Sequence, residues 1–94
     1  MLYTILMEYR GGTYVSQAKA ASASGALRTW AHNLDPSPVP GLGMRGKADL
    51  IEVIESDLAD GIKPARLEGL HGSWCQTVRF SGGFALINIV ATAV

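Results

Sequence analysis

The chain has a single cysteine, Cys75, so no intramolecular disulfide can form and no Cys-x-x-Cys zinc or redox pair exists. Two histidines, His32 and His71, fall in no zinc-ligand spacing with it. Charge is scarce as well. Only 17% of residues are charged, where soluble domains carry about 25%. Eight basic and eight acidic side chains cancel, so no global field draws the protein to nucleic acid or anionic lipid. The longest apolar run, Phe84 to Val94, is 11 residues long and interrupted by Asn88. A helix needs about 20 apolar residues to cross a bilayer, so no membrane association is expected. Met1-Leu-Tyr-Thr opens directly on strand-like residues without a basic leader, which makes a cytoplasmic protein the expectation.

What is present is apolar and alternating. Nearly half of the 94 residues are hydrophobic, enough for one small core. The closing run is apolar on both alternating faces: Ala85, Ile87, Ile89, Ala91 and Ala93 on one, Phe84, Leu86, Val90 and Val94 on the other. Such a run suits a central strand covered on both sides. Leu2 to Tyr9 alternates similarly, and a glycine pair then predicts a hairpin. With Gly11-Gly12 as the loop, Tyr9 would face Tyr14 and Met7 would face Ser16, leaving a depression over Ser16, Ala18 and Ala20 that Trp30 could fill. Trp74 to Phe80 reads as another strand, and Gly82-Gly83 as its turn would set Val78 opposite Ile87 and Cys75 opposite Val90.

Between these hairpins lie two helical patterns. Ser22 is a suitable N-cap, and Ala23, Ala26, Leu27, Trp30, Ala31 and Leu34 form an apolar stripe ending before Asp35-Pro36. Lys47 to Asp60 repeats Leu50, Ile51, Ile54 and Leu58 at helical spacing, with Asp49 near its start and Gly61-Ile62 as a C-cap. Residues 35–46 hold three prolines and three glycines, which predicts a loop with Met44 and Arg45 at its tip. A further extended piece is possible at most over Ala65–Leu67.

The element order strand, strand, helix, helix, strand, strand predicts an α+β domain spanning 1–94: a four-stranded antiparallel sheet, order 2-1-4-3, with both helices on one face. The helices would cover Tyr3, Ile5, Met7, Val78, Ile87 and Ile89. The opposite face would expose Leu2, Leu6, Val15, Phe84, Leu86 and Val90 around Asn88. That much contiguous apolar surface predicts a homodimer packed through this face, with Asn88 near the twofold axis.

Little of the sequence points to chemistry. Cys75 and His71 are the only Cys/His proximity, but four extended positions span roughly 13 Å, so the thiol reads better as a small strand residue than as an activated nucleophile. The acids Asp49, Glu52, Glu55, Asp57 and Asp60 read as a solvated helix face. Gly41-Leu-Gly-Met-Arg-Gly46 lacks the Gly-Lys-Ser/Thr ending of a phosphate loop, since Ala48 follows Lys47. Arg10, Lys19 and Arg28 make at most a small basic patch, without an aromatic RNA-binding signature.

One stretch has a familiar look. The first strand, the glycine turn, Tyr14-Val15-Ser16 and a helix carrying Ser22 and Ala26-Leu27 resemble the opening of HicB-like antitoxin domains over residues 1–34. The resemblance implies a dimer that neutralises a small RNA-cleaving toxin, often beside a separate DNA-binding segment. The family's Leu-Pro-Gly-Cys-type third strand and a recognisable DNA-binding tail are missing, so no functional residue carries over. Two expectations follow. The first is a non-enzymatic homodimeric interaction or regulatory module that needs no cofactor or metal, with a possible protein partner through loop 35–46 or the acidic helix. The second is a small-molecule binder or enzyme with a pocket under that loop, lined by Trp30, Met44 and Trp74.

Overall fold

In the computed structural model, residues 1–81 and 83–93 are described. Val94, assigned above to the outer face, and Gly82, assigned to a turn, lie outside them. The elements run β1 (Leu2–Tyr9), β2 (Gly12–Lys19), α1 (Ala23–Asn33), α2 (Gly43–Ala59), β3 (Ala65–Arg66), β4 (Ser73–Phe80) and β5 (Gly83–Thr92). They form an α+β fold with an antiparallel sheet ordered β2-β1-β5-β4-β3. The sheet has five strands, one more than periodicity suggests. β3 adds beside Cys75 and Trp74, and two residues are too few to show an alternating pattern.

β1 and β5 are neighbours, as their doubly apolar faces require. Tyr3, Ile5, Met7 and Tyr9 pair with Ala91, Ile89, Ile87 and Ala85, and all but the half-buried Ala91 are buried under the helices. Gln76 is the one buried polar residue among those described, beside Val78 on the same face of β4. Ring contacts close both ends of this layer. Tyr9 stacks on Phe80 with centroids 5.7 Å apart, and Tyr3 meets Trp74 edge-on at 5.8 Å.

Both hairpin registers differ from the glycine-pair expectation by two residues. Tyr9 pairs with Gly12 and Met7 with Tyr14, so the first loop is Arg10-Gly11, with φ of 47° and 80°. Two positive φ angles define the turn that matches strand twist, and Gly12 is already the first residue of β2. In the second hairpin Phe80 pairs with Gly83, which sets Val78 opposite Ala85 and Cys75 opposite Asn88. A shift of two preserves every face, so the partners change while the core assignment stands.

α1 begins where expected: the Ser22 hydroxyl accepts a hydrogen bond from the Gly25 amide at 3.1 Å. Its buried stripe is Ala23, Ala26, Leu27, Trp30 and Ala31, with Leu34 just beyond the last turn. α2 starts four residues earlier than its apolar repeat indicates, at Gly43. Gly46 does not break it, because the Leu42 side chain packs over that position. A Cβ there would lie 2.9 Å from Leu42 Cδ1. Met44 and Arg45 therefore stand exposed in the first turn rather than at a loop tip, and Asp49 is displaced from the first turn. The remaining loop, 34–42, is pinned by Val39 and Leu42, both buried.

α2 ends in a paired cap. The Ile62 amide donates to the Asp57 carbonyl at 2.8 Å, the Gly61 amide donates to Leu58, and Gly61 has φ of +81°. Ile62 stays half exposed. A side chain at Gly61 meets no neighbouring atom, so only backbone strain opposes it. Gly61→Ala is expected to lower the unfolding free energy by about 1 kcal/mol, read from the urea midpoint at unchanged slope.

Candidate functional site

β2 is an outer strand of the sheet, and its partner across the helix layer is the C-terminal half of α1. Between them, roofed by residues 34–39, lies a cavity of about 430 Å³. Tyr14, Trp30, Leu34 and Val39 give it apolar walls, while Ser16, Asn33 and Asp35 supply polar groups. Its origin is a size mismatch. On the helix face of β2, Ala18 is buried beneath α1 while Ser16 remains exposed. Trp30 is buried beside Ser16 without filling the space.

Among the described residues, Asp35 is the only charged one lining the cavity. The Ser37 amide donates to Asp35 Oδ1 at 3.0 Å. Hydrogen bonds from Ser37 hold this carboxyl below the ordinary aspartate range, with Lys47 adding a smaller electrostatic pull. The side chain is thus an anion at neutral pH. Among the described residues, no histidine, cysteine or lysine lines the cavity. The lining can bind an apolar group beside a cation.

The expected pocket trio is dispersed. Trp30 borders this cavity, Met44 lines a shallower depression with Pro40 and Gly43, and Trp74 lies on β4 against Tyr3. The dimer-face candidates stay together on the sheet surface away from the helices. Val15 is 62% exposed, Phe84 52% and Val90 37%, while Leu2, Leu6, Leu86 and Asn88 are half-buried. Cross-strand pairing puts Val15, Leu6, Asn88 and Cys75 in one row. Burial, and secondarily Glu8, push the Cys75 thiol up, away from the thiolate that nucleophilic chemistry requires. The recorded side-chain partner of His71 is Arg66, at 3.3 Å.

A feature that periodicity leaves unmarked is the ion pair joining the helices. Arg28 on α1 donates from Nε and Nη2 to the two carboxylate oxygens of Glu55 on α2, at 2.7 and 2.6 Å, and His32 Nε2 lies 3.5 Å from the same group. Each residue sits on the polar side of its own helix, so only the packing of α1 on α2 reveals the contact. The Arg28 hydrogen bonds, more than desolvation opposes, take Glu55 from 4.5 down to about 2. The remaining acids of α2 form no group of three or more His/Cys/Asp/Glu suited to a metal ion among the described residues. Likewise, no helix of the described residues is long and apolar enough to cross a membrane.

Searches of protein-family models, curated proteins and solved structures find no match to this chain.

A carboxylate held below its ordinary value stabilises the fold above that value and loses its contribution on protonation. Glu55→Gln is accordingly expected to be less stable than the parent at neutral pH. The gap should narrow as pH falls from 4.5 towards about 2. Paired urea titrations at neutral and acid pH measure it, and a gap independent of pH would show that the contact acts by packing rather than charge.

Proposed function

We propose that the protein is a non-enzymatic, self-associating interaction module whose open sheet face packs against the same face of a second copy. The observation that carries this reading is the exposure of Val15, Phe84 and Val90 on one side of a sheet whose other side is buried. Three further features support it. Lys19 and Arg79, two of the three charged residues of that face, sit towards its edges, while Leu6, Leu86, Asn88 and Val90 occupy its middle beside the third, Glu8. Asn88 offers both a donor and an acceptor, so two copies related by a twofold axis can exchange amide hydrogen bonds. The size also fits. Four strands of eight residues make a face of about 27 by 19 Å, roughly 500 Å² in projection. The side-chain relief adds area towards the ~800 Å² per partner of a standard interface.

The likeness of residues 1–34 to HicB-like antitoxin domains gives this reading a specific form, in which the dimer sequesters a small RNA-cleaving toxin. Co-expression with a ribonuclease encoded beside it, followed by co-purification and a cell-growth assay, tests that form separately from dimerisation. The small-molecule reading draws on the cavity beside Trp30, whose volume falls within the usual range for ligand pockets, about 300 to 1,000 Å³.

Light scattering at micromolar concentration is expected to give twice the chain mass of 10.0 kDa. Leu86→Asp should give a folded monomer, with unchanged far-ultraviolet circular dichroism and faster maleimide labelling of Cys75. A parent protein that stays monomeric into the high micromolar range defeats the reading.

A further inference from the structure

The two edges of the sheet are treated differently. Beyond β4 the edge is occupied by β3, two residues long and preceded by Pro64. The β2 edge is eight residues of regular strand with no proline and no break in its pairing to β1. Natural sheets usually blunt such an edge with proline, a bulge or a covering segment, because its free backbone groups pair readily with another extended chain.

The hydrogen-bond pattern identifies those groups. At the open end of the hairpin Met1 and Ala20 exchange both bonds: the Ala20 amide donates to the Met1 carbonyl at 3.0 Å, and the Met1 amine donates to the Ala20 carbonyl at 3.2 Å. Bonded and non-bonded pairs alternate along an antiparallel ladder. Ala18, Ser16, Tyr14 and Gly12 therefore bond to β1, while the N–H and C=O groups of Thr13, Val15, Gln17 and Lys19 point away from the sheet. No recorded hydrogen bond of the described residues uses them. The cavity beside Trp30 runs along this stretch, lined on one side by residues 13–17 and on the other by α1 and the loop.

We infer that β2 is a docking edge for an extended peptide, which adds antiparallel to residues 13–19 as an outer strand. Alternate side chains of the peptide then point into the cavity, where an aliphatic group packs on Trp30, Leu34 and Val39, and a neighbouring lysine or arginine meets Asp35. Recognition of this kind divides the work, with main-chain bonds supplying affinity and pockets for alternate side chains supplying selectivity. Charge favours a peptide over a second copy of the chain at this edge. Asp35 is the cavity's only charged residue among those described, and a twofold β2–β2 pairing would bring two Asp35 side chains to the same groove, whereas a basic peptide neutralises one. The site uses the main chain of β2, whereas the open face proposed for self-association uses side chains, with Val15 contributing to both, and the inference does not depend on that proposal.

The probe is a synthetic octapeptide alternating threonine with valine and carrying one leucine and one lysine, titrated into the full chain and followed by amide NMR. Saturable shifts are expected at Thr13, Val15 and Gln17 and around Trp30, with slowed hydrogen exchange at those three amides. An analogue N-methylated on the bonding edge should bind at least tenfold more weakly. Asp35→Asn, which keeps the Oδ1 acceptor for Ser37, should weaken the lysine peptide about two- to fivefold and leave a threonine-substituted version unaffected. The inference is overturned by absence of saturation at millimolar peptide, by shifts confined to Leu6, Leu86 and Val90, or by equal affinity of the N-methylated analogue. Protection of residues 13–17 that rises with protein concentration, without peptide, would assign the edge to a second copy and equally overturn it. The first three results leave the light-scattering mass unaffected, and the fourth would persist in Leu86→Asp, so this inference and the dimer reading can fail separately.

Discussion

The pairing of β1 with β5 is the contact on which the remaining structure depends. Each strand is apolar on both faces, and side by side they set Ile5 against Ile89 and Met7 against Ile87. These four side chains are fully buried and anchor the layer on which both helices rest. The same pairing puts Leu6 beside Asn88 and Glu8 beside Leu86 on the other side, where the described chain supplies no cover. A strand pair that needs two covers and receives one leaves a surface with a purpose still to serve, and the self-association proposal follows from that asymmetry.

Around this pair, the outer elements differ in how firmly they are held. β4 lies on β5 along its whole length, and its Trp74 and Phe80 reach back to Tyr3 and Tyr9 of β1. β2 is bonded along one edge only, and α1 covers its Ala18 end better than its Ser16 end. The loop over the second end is nevertheless anchored, by Val39 and Leu42 in the core and by Arg10, whose guanidinium lies 5.2 Å from the Tyr9 ring centroid and packs against Gly41. The cavity is thus a consequence of small residues on β2 facing an anchored loop. Its position beside unpaired main-chain groups is what gives it more meaning than a packing defect.

Much of the fold was legible because alternation is a coarse signal that tolerates error. Alternation puts Tyr3, Ile5, Met7, Val78, Ile87 and Ile89 on the helix face, and they are buried there, although both hairpin registers are displaced by two residues. Glycine pairs were a poorer guide, since Gly12 and Gly83 are strand residues and the positive-φ work at the first turn falls to Arg10 and Gly11. The α2 boundary was obscured for a related reason. Gly46 reads as a helix breaker until Leu42 is seen lying across it. The site was less legible still. Of Trp30, Met44 and Trp74 only Trp30 borders the cavity, and the polar residues that matter there, Ser16 and Asp35, carry no periodic mark. The Arg28–Glu55 pair carries no mark in the sequence because its members lie on different helices.

The sequence by itself determined the strand and helix order, the capped start of α1, the buried face of the sheet and the amphipathic character of both helices. Each of these is encoded by neighbours two, three or four positions apart, within reach of local periodicity. Tertiary structure alone decided the turn residues, the two-residue β3, the bridge between the helices and the groove along β2. Those depend on which backbone groups remain unpaired and which distant side chains meet, and such facts exist only once the chain has closed on itself.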